Sequence, residues 1–187
     1  MSKKREEGKV PEKVLLDQYA SSHVVEVVDD NNSPFAVLPK DLVHRQLLKH
    51  RSVQVLVFNP QKKIYLQKRN KRKRFFPGRW DVSARTHPLV GESSLDAVFR
   101  VLETKLHLEV DSPQFTQSLA ACPETGFENV TIFSVYKNIQ PISPNVEEVS
   151  EGYYFSREEL TCLIKEFREL LTPNLVTLWE TGFLFNY

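Results

Sequence analysis

Apolar and polar positions divide the chain into short strands and a few helical stretches. From His23 to Val28 the β-branched run HVVEVV reads as a strand. The cluster DDNNSP after it reads as a turn, because Asp and Asn accept local backbone hydrogen bonds and Pro fixes φ. Phe35–Leu38 is then the returning strand of a hairpin. Asp41 is expected to cap a short helix with Leu42, Leu47 and Leu48 as its inner residues. Val53–Phe58, a turn at Asn59 to Lys62, and Ile64–Gln67 predict a second hairpin. Ser93 or Ser94 opens a helix to Leu106, with Leu95, Phe99, Leu102 and Leu106 on one apolar face. Val130–Tyr136 and Gly152–Phe155 read as strands. Ser156 with Glu159 forms a capping box for a helix to about Leu171, in which Cys162 is expected to be a buried thiol. Thr172 and Pro173 start another helix, which Gly182 can stop. The order of strands, helix, strands, helices predicts an α+β or α/β/α class with a mixed sheet.

Composition narrows this picture. A chain of 187 residues suits one domain, and no linker splits it. Residues 13–187 are therefore read as a single domain behind a flexible, charged tail at 1–12. Hydrophobic residues at 41% and charged residues at 26% exclude wholesale disorder. Two cysteines, Cys122 and Cys162, exclude a disulfide scaffold and a cysteine-rich zinc fold. With 25 basic and 24 acidic residues, binding of nucleic acid or membrane through overall charge is not expected. The N-terminal charges have no apolar run behind them, and no stretch approaches the ~18 apolar residues of a span, so the expectation is a soluble, cytoplasmic protein. Locally, Lys68, Arg69, Lys71, Arg72, Lys73 and Arg74 form a basic run, with Arg79 and Arg85 nearby. Such a run suits a phosphate or a polyanion, or is a solvated loop. Phe183, Leu184, Phe185 and Tyr187 leave an apolar tail that must dock on the domain or meet a second copy, so monomer and homodimer both stand open.

The segment WDVSARTHPLVGESSLDAVFRVLETKLHL, from Trp80 to Leu108, resembles the Nudix hydrolase superfamily, whose box reads G-x5-E-x7-R-E-U-x-E-E-x-G-U with U aliphatic. Glu92 matches the first glutamate, Arg100 the arginine, and Leu102 and Leu108 the aliphatic positions. The resemblance implies a Nudix-type α/β/α sandwich with a mixed sheet, an N-terminal β-hairpin and a box region at 86–108. It also implies metal-dependent cleavage of diphosphate bonds. Departures follow: Thr86 and His107 stand at the two glycine positions, Val101 at the glutamate after the arginine, and Thr104 and Lys105 at the paired glutamates. In family members those carboxylates hold Mg²⁺ and help activate water, chemistry that suits hard oxygen ligands. Glu103 points about 200° away from Val101 on a helix and is expected to pair with Arg100 or His107 instead.

Within the superfamily, ARTHPLVGES is similar to a loop of the isopentenyl-diphosphate isomerases that carries a catalytic cysteine and a metal-binding histidine. That resemblance puts Arg85 at the cysteine and His87 at the histidine. It places His50 at a second metal histidine, His44 one residue out of register with a third, Glu128 at one site glutamate and Val130 at the other. Thiol and acid partner are both absent, so isomerase chemistry is not expected. Glu92, His50, His87 and Glu128 form the metal set this resemblance implies, for Mg²⁺ or Mn²⁺. The leading reading is a degenerate member, with Glu92 and Arg100 as remnants of the catalytic box. It binds a diphosphate-containing small molecule through Lys105, Arg85, Lys68, Arg69 and Arg79, with Lys105 as a fixed cation and no required metal. The alternatives are an active metal-dependent diphosphohydrolase and a polyanion- or protein-interaction module.

Overall fold

The structure, a computed structural model, describes residues 24–185. The expected tail at 1–12, His23 and Tyr187 lie outside them. The hairpin forms as β1 (Val24–Val28) and β2 (Pro34–Pro39), with Asp29 Oδ1 accepting from the backbone N–H groups of Asn31 and Ser33 in the turn. Then come α1 (Lys40–Arg45), β3 (His50–Val57), β4 (Ile64–Arg69), β5 (Trp80–Asp81), β6 (Ala84–Thr86) and α2 (Ser94–Leu106). The chain continues through β7 (Gln114–Leu119), β8 (Glu128–Val135), β9 (Val149–Phe155), α3 (Arg157–Glu166) and α4 (Pro173–Glu180). One sheet has the order β2-β1-β3-β8-β7 with β6 also on β3; the other has the order β5-β4-β9. The pairing of β3 with β8 is parallel and the others are antiparallel, which makes the larger sheet mixed.

Two apolar layers flank this arrangement. Val53, Val55 and Val57 of β3 face Ala97, Val98, Val101 and Leu102 of α2, while Leu56 turns to a core with Leu160, Leu175 and Leu178 of the C-terminal helices. This is the expected α/β/α sandwich with its N-terminal hairpin. Strand β3 is buried almost along its whole length, as a strand covered on both faces must be.

Several expectations are corrected. The turn after β3 forms, with Lys62 N–H donating to the Asn59 carbonyl, but the pairing stops at an isolated bridge between Phe58, one residue past β3, and Ile64. Both edges of β3 are taken, by β8 on one side and β1 and β6 on the other, so β4 joins the other sheet. On α2, Leu95 and Phe99 are 42% and 36% exposed, and the buried stripe is Ala97, Val98, Val101, Leu102 and Leu106. That stripe packs with the valines of β3 in one cluster. In α1 Val43 is the buried residue, Asp41 makes no cap hydrogen bond, and Leu47 is exposed. Helix α3 stops at Glu166, because Phe167 leaves helical geometry and Arg168–Leu170 form a 3₁₀ turn. Cys162 is exposed on it, not buried. Strand β7, a polar edge segment, was not foreseen. The apolar tail docks on its own domain: Leu184 is buried beside Leu160, and Phe185 meets the Trp179 ring at 5.9 Å. No helix among the described residues is long and apolar enough to cross a membrane.

The box helix is fixed at both ends. Ser93 caps it by accepting from Asp96 N–H at 3.1 Å. At the other end Asn145 and Ser143 donate to the carbonyls of Lys105 and Leu106, and His107 takes the left-handed conformation (φ 47°) that the family's glycine suits. A close approach lies across β4 and β9: a Cβ on Gly152 would overlap the buried Tyr65 phenol. Gly152→Ala is therefore expected to destabilise the fold by about 1–3 kcal/mol, the usual range for overpacking, measured by urea unfolding.

Candidate functional site

The parallel register of β3 and β8 sets His50 directly beside Glu128. The antiparallel register of β6 on β3 sets Arg85 opposite Gln54, two residues before His87. Helix α1 brings His44 against both histidines, with ring centroids 4.7 Å from His50 and 5.3 Å from His87. The ligand atoms of His44, His50, His87 and Glu128 all lie within 4.8 Å of one another.

The imidazoles are oriented from behind. His50 Nδ1 lies 2.7 Å from the Leu48 carbonyl and His87 Nδ1 3.0 Å from the Arg51 carbonyl. A carbonyl only accepts, so each Nδ1 carries the proton and each Nε2 presents a lone pair. His50 Nε2 is buried, has no hydrogen-bond partner, and lies 3.9 Å from Glu128 Oε1. Burial, reinforced by neighbouring charge, pushes His44 down to about 4 and His87 to about 3, so these imidazoles are neutral at pH 7. Burial also lowers His50. Burial alone would raise the Glu128 carboxyl, but Arg85 beside it holds it down to about 2. Arg85 Nη2 sits 2.8 Å from each carboxylate oxygen.

Glu92 is not part of this group. Its Oε1 accepts from Arg100 Nε and its Oε2 from Arg100 Nη2, each at 2.7 Å, and Oε2 also accepts from Leu89 N–H. The pair of retained box residues therefore closes the loop 87–92 onto α2, with a further bond from Arg100 to the His87 carbonyl. Glu103 is exposed and does not take the expected partner, since Arg100 is engaged with Glu92 and His107 Nδ1 bonds the Ser143 carbonyl.

The replaced box positions have three fates. Val101 is buried in the core, Thr104 hydroxyl donates to the Arg100 carbonyl of its own helix, and Lys105 turns inward. Lys105 Nζ donates to the Arg85 carbonyl at 2.7 Å and lies 3.5 Å from Glu148, which also pairs with Lys73. Burial pushes the Lys105 ammonium down to about 8, with Lys73, Arg69 and Arg85 adding to the effect against Glu148. Lys40 is lowered by burial and by Arg85, Lys73 and Arg69. Arg69, Lys73 and Arg85 thus act on both Lys40 and Lys105, while Asp81 pairs with Arg69, Glu128 with Arg85, and Glu148 with Lys73 and Lys105.

Of the sequence-predicted phosphate contacts, Arg85, Arg69 and Lys105 meet here. Lys68 instead pairs with Glu151 and covers the Trp80 ring. Arg79 donates to the Leu171 carbonyl, stacks on Phe76 and lines a separate open groove of about 450 Å³ with Arg168 and Val176. Sequence reasoning missed Lys40 and Glu148. Lys40 stands four residues before His44, on the same helical face, a signal that could have found it. The basic run is largely matched by distant acids: Arg72 with Glu147, Lys73 with Glu148 and Arg74 with Asp41. Those pairs offset part of the charge of the run.

The NUDIX domain family profile matches residues 48–175. An isopentenyl-diphosphate Delta-isomerase of Pectobacterium atrosepticum is 30% identical over 158 residues, covering 83% of this chain and 86% of the relative. A crystal structure of a protein from Deinococcus radiodurans superposes with a TM-score of 0.73 at 19% identity, over 84% of this chain and 98% of the other. The NUDIX domain of a Shewanella oneidensis protein, solved with ADP ribose, superposes with a TM-score of 0.56 at 16% identity, over 70% and 84% of the two chains.

Proposed function

We propose, for a chain that belongs to the Nudix family and to its isopentenyl-diphosphate-isomerase-like branch, that it binds a diphosphate-containing small molecule with little hydrolysis by the box. The observation that carries this reading is the linked set of Lys73, Arg85 and Lys105, joined through Glu148, Glu128 and the Arg85 carbonyl, beside a box helix without carboxylates at 101, 104 and 105. Mutually repelling ammonium and guanidinium groups are costly to hold together, and a diphosphate is the complement that relieves the repulsion. The Shewanella domain solved with ADP ribose is a fold relative with a ligand of this class.

The family implies a divalent metal, and His44, His50, His87 and Glu128 fit one. The buried, partnerless Nε2 of His50 and the carbonyl-anchored Nδ1 atoms are the arrangement metal-binding imidazoles need. Three nitrogens and one carboxylate suit Zn²⁺, Mn²⁺ or a similar ion better than Mg²⁺, which takes oxygen ligands. A bound ion would supply neutralisation of phosphate charge and a more acidic water. The chain's own residues do the rest: Lys105 and Arg69 attract phosphate oxygens, and the Glu92–Arg100 pair holds the loop in place. The same cluster favours a second reading, a diphosphohydrolase whose metal sits outside the box. No residue at the thiol or acid position supports isomerase chemistry, since Arg85 and Val130 stand there.

Calorimetry with pyrophosphate and with ADP ribose in excess EDTA tests the first reading. Binding is expected without metal, and it is expected to weaken steeply with salt, because the contacts are ionic. A protein that binds neither compound in EDTA lacks a metal-free phosphate cleft. Rapid metal-dependent phosphate release would favour the second reading.

A further inference from the structure

We propose that Arg85 is the resident cation of the three-histidine site: its guanidinium holds Glu128, the cluster's one carboxylate, and so sets how tightly the site takes a divalent metal ion. The inference rests on the reading that these four residues can hold a metal, and it goes beyond that reading in assigning Arg85 the role of competitor.

Arg85 Nη2 lies 2.8 Å from both Glu128 oxygens, so neither is free of a charged donor. His50 Nε2 lies 3.9 Å from Oε1. A metal bound by nitrogen and carboxylate oxygen needs bonds of roughly 2.0–2.2 Å. Donor atoms spread over as much as 4.8 Å can close around it, but only with the ion next to the guanidinium. A divalent charge and a monovalent one then compete for one carboxylate at short range in a poorly solvated place. Nor is Arg85 free to retreat. Its carbonyl accepts from Lys105 Nζ at 2.7 Å, its strand is paired to β3, and the charges of Lys40 and Lys105 oppose its own. Glu128 is the place where its charge is best satisfied. The resemblance places both residues at one site, but their ion pair, across 43 residues of chain, is set by the strand register.

The test is titration of the purified, metal-stripped protein with Co²⁺, read by visible absorption and by competition with a chromophoric chelator. Wild type, Arg85→Met, Arg85→Lys and the double variant Arg85→Met/His50→Ala are compared. Arg85→Met is expected to bind Co²⁺ at least about 30-fold more tightly than wild type, roughly 2 kcal/mol. The double variant is expected to lose that gain. Should Arg85→Met fail to fold, Arg85→Lys, whose single-headed ammonium holds a carboxylate less firmly, is expected to bind at least threefold more tightly. Equal affinity in wild type and the Arg85 variants overturns the competition. If His50→Ala then abolishes the common affinity, the metal reading survives without it. Absence of Co²⁺ binding in every protein overturns both.

Discussion

Incubated with Mg²⁺ or Mn²⁺ and a panel of nucleoside and sugar diphosphates, the protein is expected to turn over more slowly than about 0.01 per second. That is about a thousandfold below the ~10 per second common among enzymes, or ~4 kcal/mol of lost transition-state stabilisation. Three box positions that carry carboxylates in relatives are Val101, Thr104 and Lys105. The first is packed in the core, the second bonds its own helix and the third brings a positive charge. Glu92, the remaining box carboxylate, has both oxygens committed to Arg100. A hard divalent ion would have to break that pair and then find no second carboxylate on the helix. Phosphate release measured over hours checks this, and turnover near 1–10 per second would overturn it. With isopentenyl diphosphate the same preparations are expected to give no dimethylallyl diphosphate.

The second large effect concerns Lys105. In EDTA, Lys105→Glu is expected to weaken pyrophosphate binding about 30-fold, or ~2 kcal/mol, the size of one charge-assisted hydrogen bond. Lys105 is held in place by the Arg85 carbonyl and Glu148 and is only about one-fifth exposed, so it is a positioned charge and not a solvated one. In the variant a carboxylate would face Glu148 instead, repelling both it and the ligand. The pH dependence has a definite sign. Because burial pushes the free ammonium down to about 8, raising the pH through that value removes its charge, and affinity falls. A bound anion favours the ammonium, so the decline in the complex lies at higher pH than in the free protein. Lys105→Met is expected to bind weakly at every pH and to lose this dependence. Equal affinities for wild type and both variants would leave Lys105 as a structural cation that ties the 84–86 strand to the loop before β9.

Much of this was legible in the residues themselves. The N-terminal hairpin, the capped box helix, the Ser156 capping box and the proline-initiated helix α4 depend on groups within about one turn of each other, and they formed as expected. The resemblance around Trp80 to Leu108 led to the family, and it marked His50, His87 and Glu128 for one site. Reading from sequence failed wherever the partner was far along the chain. The basic run looked unbalanced because its acids, Glu147, Glu148 and Glu151, lie about 75–83 residues later and meet it only through β4 and β9.

What the sequence determined by itself is therefore most of the elements, the caps at Ser93, Ser156 and Thr172 and the absence of box carboxylates at 101, 104 and 105, since these are properties of neighbours or of single positions. Tertiary structure decided the rest. Strand register chose Glu128 as the neighbour of His50, helix α1 delivered His44 and Lys40, and the rotation of α2 sent Lys105 inward while leaving Leu95 and Phe99 outside. Charge and coordination depend on distances of a few ångströms, and between residues dozens of positions apart those distances are set by sheet register and helix packing, not by local preference.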